Sequence, residues 1–131
     1  MAQVLVIDNN GDFREIISRL ISNRFDASVV TTPFLADTHN LLKADDLSLV
    51  ISDVEDADHQ GFWVHNYLRK FRPNVVLAIF VDEHRLLRNI PQIDSTVRIA
   101  VLKPDFLKLC KDIEKLGILT LKRGQGSVYG Q

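Results

Sequence analysis

Four short stretches of the chain are almost wholly apolar: residues 4–7, 47–51, 75–81 and 97–102. A fifth, residues 27–31, is β-branched and weaker. An apolar run without alternation predicts a strand buried on both faces, the condition of a parallel sheet covered by helices. Helical periodicity lies between the runs. Phe13, Ile16, Ile17, Leu20 and Ile21 fall on one helix face at spacings of three and four. Thr32 followed by Pro33 predicts a helix start, a hydroxyl N-cap and then proline in the first turn. Val64, Tyr67, Leu68 and Phe71 form a further stripe that has to stop before Pro73. Residues 83–90 predict a shorter helix ended by Pro91. Phe106, Leu109, Cys110, Ile113 and Leu116 make the last stripe, with Gly117 placed to end it.

The order is a strand and a helix repeated five times, which predicts a doubly wound α/β sandwich. Right-handed crossovers leave few topologies. The flavodoxin-like order 2-1-3-4-5, a five-stranded parallel sheet with helices on both faces, is the natural one. In such sheets the functional site lies at the carboxyl ends of the strands, so the informative residues are those just after each apolar run.

Composition changes this picture little. The 131 residues are 46% hydrophobic and 25% charged, enough for one compact domain with its own core. We expect that domain over residues 1–121, with the Gly-, Ser- and Gln-rich segment 122–131 a flexible tail or the start of a linker. Lys122 and Arg123 read as a solvated helix end. The net charge of −1, from 16 basic and 17 acidic residues, argues against direct binding of nucleic acid. Cys110 is the single cysteine, so an internal disulfide is excluded, and its helical position predicts a buried packing role. Residues 1–7 enter a strand directly, without the features of a signal peptide, and no apolar run reaches the roughly 20 residues of a membrane span. A cytoplasmic protein without membrane attachment is expected.

Candidate chemistry gathers at the predicted carboxyl edge. The first strand runs into Asp8, Asn9 and Asn10, and the third into Asp53, followed by Glu55, Asp56 and Asp58. The fourth is followed by Asp82 and Glu83, the fifth by Lys103 and Pro104. Carboxylates beside a lysine suit two linked tasks: holding a hard cation such as Mg²⁺, and neutralising a phosphoryl group. Weaker readings exist for each piece. Asp8 and Asp53 taken singly would be solvated strand-end acids. Asp56, Asp58, Gln60 and Gly61 approach a calcium loop, but Tyr67 stands where a bidentate glutamate is needed. His39, His59, His65 and His84 are scattered without zinc-site spacing, and Trp63 and Tyr67 read as packing or surface groups.

Taken in order and at their spacing, these pieces resemble the receiver domain of two-component response regulators over residues 2–118. Val4-Leu5-Val6-Ile7-Asp8 is similar to the family's first strand with its acidic end. Leu49-Val50-Ile51-Ser52-Asp53 is similar to the third strand ending in the phosphate acceptor, with Gly61 at the loop glycine. Lys103-Pro104 resembles the family's lysine and the proline behind a cis peptide bond. The resemblance implies that Asp53 accepts a phosphoryl group from a histidine kinase or phosphotransfer protein, and that Lys103 pairs with it. It also implies that Asp8, Asn9, Asp53 and the Glu55 carbonyl hold Mg²⁺. Such a domain catalyses only its own phosphoryl transfer and loss and is no enzyme on other substrates; some members form homodimers.

Five departures stand against a full match, the first that the loop after Asp53 carries Asp56-Ala57 in place of the family's Met-Pro. Asn9 replaces the family's second acid, which lowers the expected Mg²⁺ affinity. Val81 stands where a Ser or Thr hydroxyl is usual, Asp82 where a small residue is usual, and Ala100 at the aromatic switch position. Two readings stay open: a phosphorylated signalling receiver, and a pseudo-receiver that acts as a protein–protein interaction module without chemistry. A flavin carrier on the same topology is disfavoured by the acids in residues 8–12, and a haloacid-dehalogenase-type phosphatase by the absence of its Asp-x-Asp after the first strand.

Overall fold

A computed structural model of the chain describes residues 2–33, 38–53, 63–82 and 98–124. Five strands form one parallel sheet: β1 (Ala2–Ile7), β2 (Ala27–Thr32), β3 (Leu47–Asp53), β4 (Val76–Val81) and β5 (Ile99–Leu102). Their order is β2-β1-β3-β4-β5, the order expected from the strand–helix alternation. The described helices are α1 (Gly11–Arg24), α2 (Thr38–Leu41), α3 (Trp63–Phe71) and α4 (Phe106–Leu116). The helix expected over residues 83–90 lies outside the described residues, as do Glu55, Asp56, Asp58 and Gly61 of the third-strand loop.

Strand side chains alternate between two apolar layers. Val4, Val6, Leu49, Ile51, Ala78, Phe80 and Val101 pack with Ile17 and Ile21 of α1 and Leu109, Cys110 and Ile113 of α4. Leu5, Ile7, Val50, Leu77, Ile79 and Val81 pack on the other face with Leu42, Val64 and Leu68. The central strands are thus covered on both sides, which is why their sequences read as unbroken apolar runs. Cys110 is buried in the first layer, as its helical position predicts.

The helix ends follow their capping residues. The Asn10 side chain accepts the Phe13 N–H at 3.1 Å and starts α1; the Asp105 carboxylate accepts the Lys108 N–H at 3.0 Å and starts α4. Gly117 closes α4 at φ +67°, a left-handed conformation that a side chain would strain. α3 stops at Phe71, ahead of Pro73.

Three sequence expectations differ from the structure. Thr32 caps no helix: it ends β2, its backbone carbonyl accepts the Asp8 N–H at 3.1 Å, and its hydroxyl donates to the Pro33 carbonyl at 2.8 Å. Pairing of β2 with β1 continues through Thr32, and ladder bonds outweigh a local cap signal. Ile16 is 49% exposed because the buried face of α1 is centred on Phe13, Ile17 and Ile21. Lys122 is no helix end, since α4 stops at Leu116 and the chain turns back. Phe25 and Leu121 form an antiparallel bridge. The Asp26 N–H donates to Thr120, and the Lys122 N–H to Arg24, each at 2.8 Å.

Candidate phosphoryl-acceptor site

The parallel register delivers the site. Ile7 of β1 pairs with Ser52 of β3, so the strands end level with each other. Asp8 therefore follows β1 beside Asp53, which closes β3. β5 adds Lys103 just past Leu102, its N–H donating to the Val81 carbonyl at 2.7 Å. The Lys103–Pro104 bond is cis. The Lys103 ammonium Nζ donates to Asp53 Oδ2 at 2.8 Å and to Asp8 Oδ2 at 3.0 Å. Residues 50 and 95 positions apart in sequence thus meet around one nitrogen.

The surroundings tie each member down. Asp8 is 4% exposed, and its Oδ1 accepts the Asn10 N–H at 2.8 Å. Its backbone carbonyl accepts from the Arg14 guanidinium at 2.6 Å. The Lys103 ammonium lies 4.1 Å from the centre of the Phe13 ring, a cation–π contact on its apolar side. Phe13 packs edge-on against Phe80 at 5.2 Å and beside Phe106 at 5.6 Å. An aromatic floor from α1, β4 and α4 therefore supports the lysine. Burial pulls the Lys103 pKa down, but the hydrogen bonds and charges of Asp53 and Asp8 outweigh it and hold the pKa above 10.5. The amine is charged throughout the neutral range.

Of the residues expected at the site, Asp8, Asp53 and Lys103 are brought together. Asn9 is exposed at the rim, and Glu55 lies outside the described residues. Val81 is fully buried in the layer shared with α3, and only its carbonyl reaches Lys103. Asp82 is exposed, and Ala100 packs half-buried against that layer. Sequence reasoning missed Phe13 and Arg14. Phe13 reads as one more core position of α1, and nothing local marks a ring that will lie under an amine from β5. Arg14 carries a usable signal: it falls one turn into the helix that starts beside Asp8.

The donor set is suited to a hard cation of modest affinity. Two carboxylates converge within reach of one amine, and Mg²⁺ accepts one or two carboxylates with water completing its shell. Among the described residues, no group of three His, Cys, Asp or Glu side chains assembles. Among the described residues the pocket thus rests on two acids, Asp8 and Asp53.

No protein-family model matches this sequence, and no curated protein matches it. Solved structures do match. The signal receiver domain of a DNA-binding response regulator (merR) from Colwellia psychrerythraea 34H superposes with a TM-score of 0.73 at 18% identity, over 89% of this chain and 98% of that one. A response regulator from Thermotoga maritima gives 0.67 at 17% identity, over 90% and 97%. The isolated receiver domain of RcsB from Salmonella enterica serovar Typhimurium gives 0.67 at 19% identity, over 92% of each chain. With the strand order 2-1-3-4-5 and two acids and a lysine meeting at the carboxyl edge, the chain has the fold of a response-regulator receiver domain.

Proposed function

We propose that this chain is a two-component signalling receiver that accepts a phosphoryl group on Asp53 from a histidine kinase or phosphotransfer protein. The observation that carries the reading is the Lys103 ammonium shared between Asp53 at 2.8 Å and Asp8 at 3.0 Å. An Asp53 carboxylate oxygen attacks the phosphorus of a phosphohistidine. The O–P bond forms as the N–P bond breaks, and the imidazole leaves with the electron pair and takes up a proton. Lys103 holds the carboxylate in place and follows the charge onto the phosphoryl oxygens. Asp8 and Asp53, with the Asn9 amide and the Glu55 carbonyl, would hold Mg²⁺, whose contribution is to neutralise phosphoryl charge.

The second reading, a pseudo-receiver acting as a protein-interaction module, is favoured by the side chains at β4 and β5. Val81 offers no hydroxyl, exposed Asp82 adds negative charge at the strand end, and Ala100 offers no aromatic switch. Acetyl phosphate and, separately, beryllofluoride with Mg²⁺ decide between them. Covalent modification seen by mass spectrometry, lost in Asp53→Asn, supports the acceptor. No Asp53-dependent modification and no beryllofluoride-induced amide shifts would leave the interaction module. Homodimerisation in the modified state is read from the same samples by light scattering.

A further inference from the structure

Phe13 sits in the first turn of α1, and a closed circuit of contacts fixes its place. Asp8 Oδ1 accepts the Asn10 N–H at 2.8 Å, and the Asn10 side chain accepts the Phe13 N–H at 3.1 Å. The Phe13 ring carries the Lys103 ammonium over its face at 4.1 Å, and that ammonium donates back to Asp8 Oδ2 at 3.0 Å. The ring is also wedged from its other sides. Phe80 meets it with an interplanar angle of 85° and Phe106 with one of 34°. Phe80 pairs with Asp53 in the β3–β4 register, which anchors the aromatic cluster level with the acceptor. Packing explains an apolar side chain here but not an aromatic one. An ammonium over an aliphatic side chain loses water without return, whereas over a ring face it gains the attraction of the quadrupole. That attraction strengthens where water is excluded, and Phe13 is buried.

We propose that Phe13 is a positioning residue for the acceptor: its ring fixes the Lys103 ammonium against Asp53 and keeps it there as charge passes from the carboxylate to the phosphoryl oxygens. The second half rests on Asp53 being the acceptor, as proposed above; the first concerns the resting pocket alone. A lysine stem is long and flexible, and holding its head in one place costs rotamer freedom. The bond from Lys103 to Asp53 is given up when the carboxylate oxygen becomes bonded to phosphorus, and a phosphoryl oxygen takes its place as acceptor. The ring is uncharged and takes no part in that exchange. It therefore serves as the fixed contact about which the amine turns from one partner to the next, and the geometry is set before the reaction begins.

The test keeps the shape of the ring and changes its charge distribution. The full chain is prepared with mono-, di- and trifluorophenylalanine in place of Phe13 alone, beside Phe13→Leu. Fluorine draws electron density from the ring face at nearly constant size, so the pull on a cation weakens stepwise while the packing stays. In the wild type the Lys103 Cε protons should resonate upfield through the ring current, and Phe13→Leu should lose that shift. The order of the Lys103 Cε group, read by NMR relaxation, should fall with each added fluorine. With acetyl phosphate and Mg²⁺, the rate of Asp53 modification should fall in the same sequence, by about 3- to 30-fold in Phe13→Leu. Equal order and equal rates across the fluorinated chains would reduce Phe13 to a packing residue and overturn the proposal, as would Lys103 protons without an upfield shift. A wild type that takes no phosphoryl group would remove the acceptor reading, and the Cε order would then decide by itself whether the ring holds the amine.

Discussion

Lys103 answers to two carboxylates at once, and its contribution to stability has a definite pH window. Its folded pKa lies above the ordinary 10.5 because the attraction of Asp53 and Asp8 exceeds the cost of burial. A lysine whose pKa is raised on folding stabilises the fold fully below its unfolded pKa. That stabilisation is lost as the pH rises through the higher folded value. Lys103→Met removes this term and leaves two part-buried carboxylates facing each other. At neutral pH the variant should be less stable by about 1–3 kcal/mol. The gap should narrow above pH 10.5. Urea midpoints for both proteins between neutral pH and the alkaline limit test this; a gap that stays constant would mean that the amine is not held by the acids. The three charged members are legible in the sequence because each ends an apolar run. Their aromatic floor is not, because Phe13 and Lys103, 90 positions apart in sequence, meet only once the sheet has formed.

Helix α1 shows how far periodicity carries and where it stops. Phe13, Ile16, Ile17, Leu20 and Ile21 all satisfy helical spacing. At ~100° per residue, however, Ile16 lies about 100° from the centre of the face made by Phe13, Ile17 and Ile21. Spacing says which residues share a stripe; only the width of the partner surface says where burial ends. Ile17 is fully buried and Ile16 is 49% exposed, so neighbouring substitutions should differ sharply. Ile17→Ala opens a cavity in the first layer and should cost about 2–5 kcal/mol. Ile16→Ala should fall within ~0.5 kcal/mol of wild type, since alanine is also the better helix former. Denaturant midpoints at constant slope read both; equal losses would mean that α1 is rotated on the sheet. The same logic explains Thr32. A cap signal is a property of four residues, whereas the β1–β2 register extends over six pairs and wins.

At the scale of the molecule, the strand order was legible because parallel strands covered on both faces leave continuous apolar runs, and chain handedness does the rest. The return of the chain after α4 was not. Residues 118–122 alternate only over Leu119, Thr120, Leu121 and Lys122, too short a run to mark a strand, and they are held by an antiparallel bridge with its two backbone hydrogen bonds, by the Ile118 N–H donating to the Ile113 carbonyl at 3.4 Å, and by Lys122 Nζ donating to the Ser22 carbonyl at 2.6 Å. Yet they belong to the core. Leu119 is 7% exposed within the layer of α1 and α4, and Ile118 and Leu121 pack against it. They close that layer over Phe25, which is fully buried at the junction of α1 and β2. Removing the chain after Gly117 should therefore destabilise the whole fold. One fully buried leucine is worth about 1.5–3 kcal/mol, and the half-buried neighbours bring the expected loss to about 2–5 kcal/mol. Leu119→Ala alone should account for about 2 kcal/mol of it, with the remainder recovered on truncation. Thermal or urea unfolding of the two variants beside wild type measures the division. If truncation at Gly117 leaves the midpoint unchanged, the segment lies on the surface and α1, β2 and α4 close the layer by themselves.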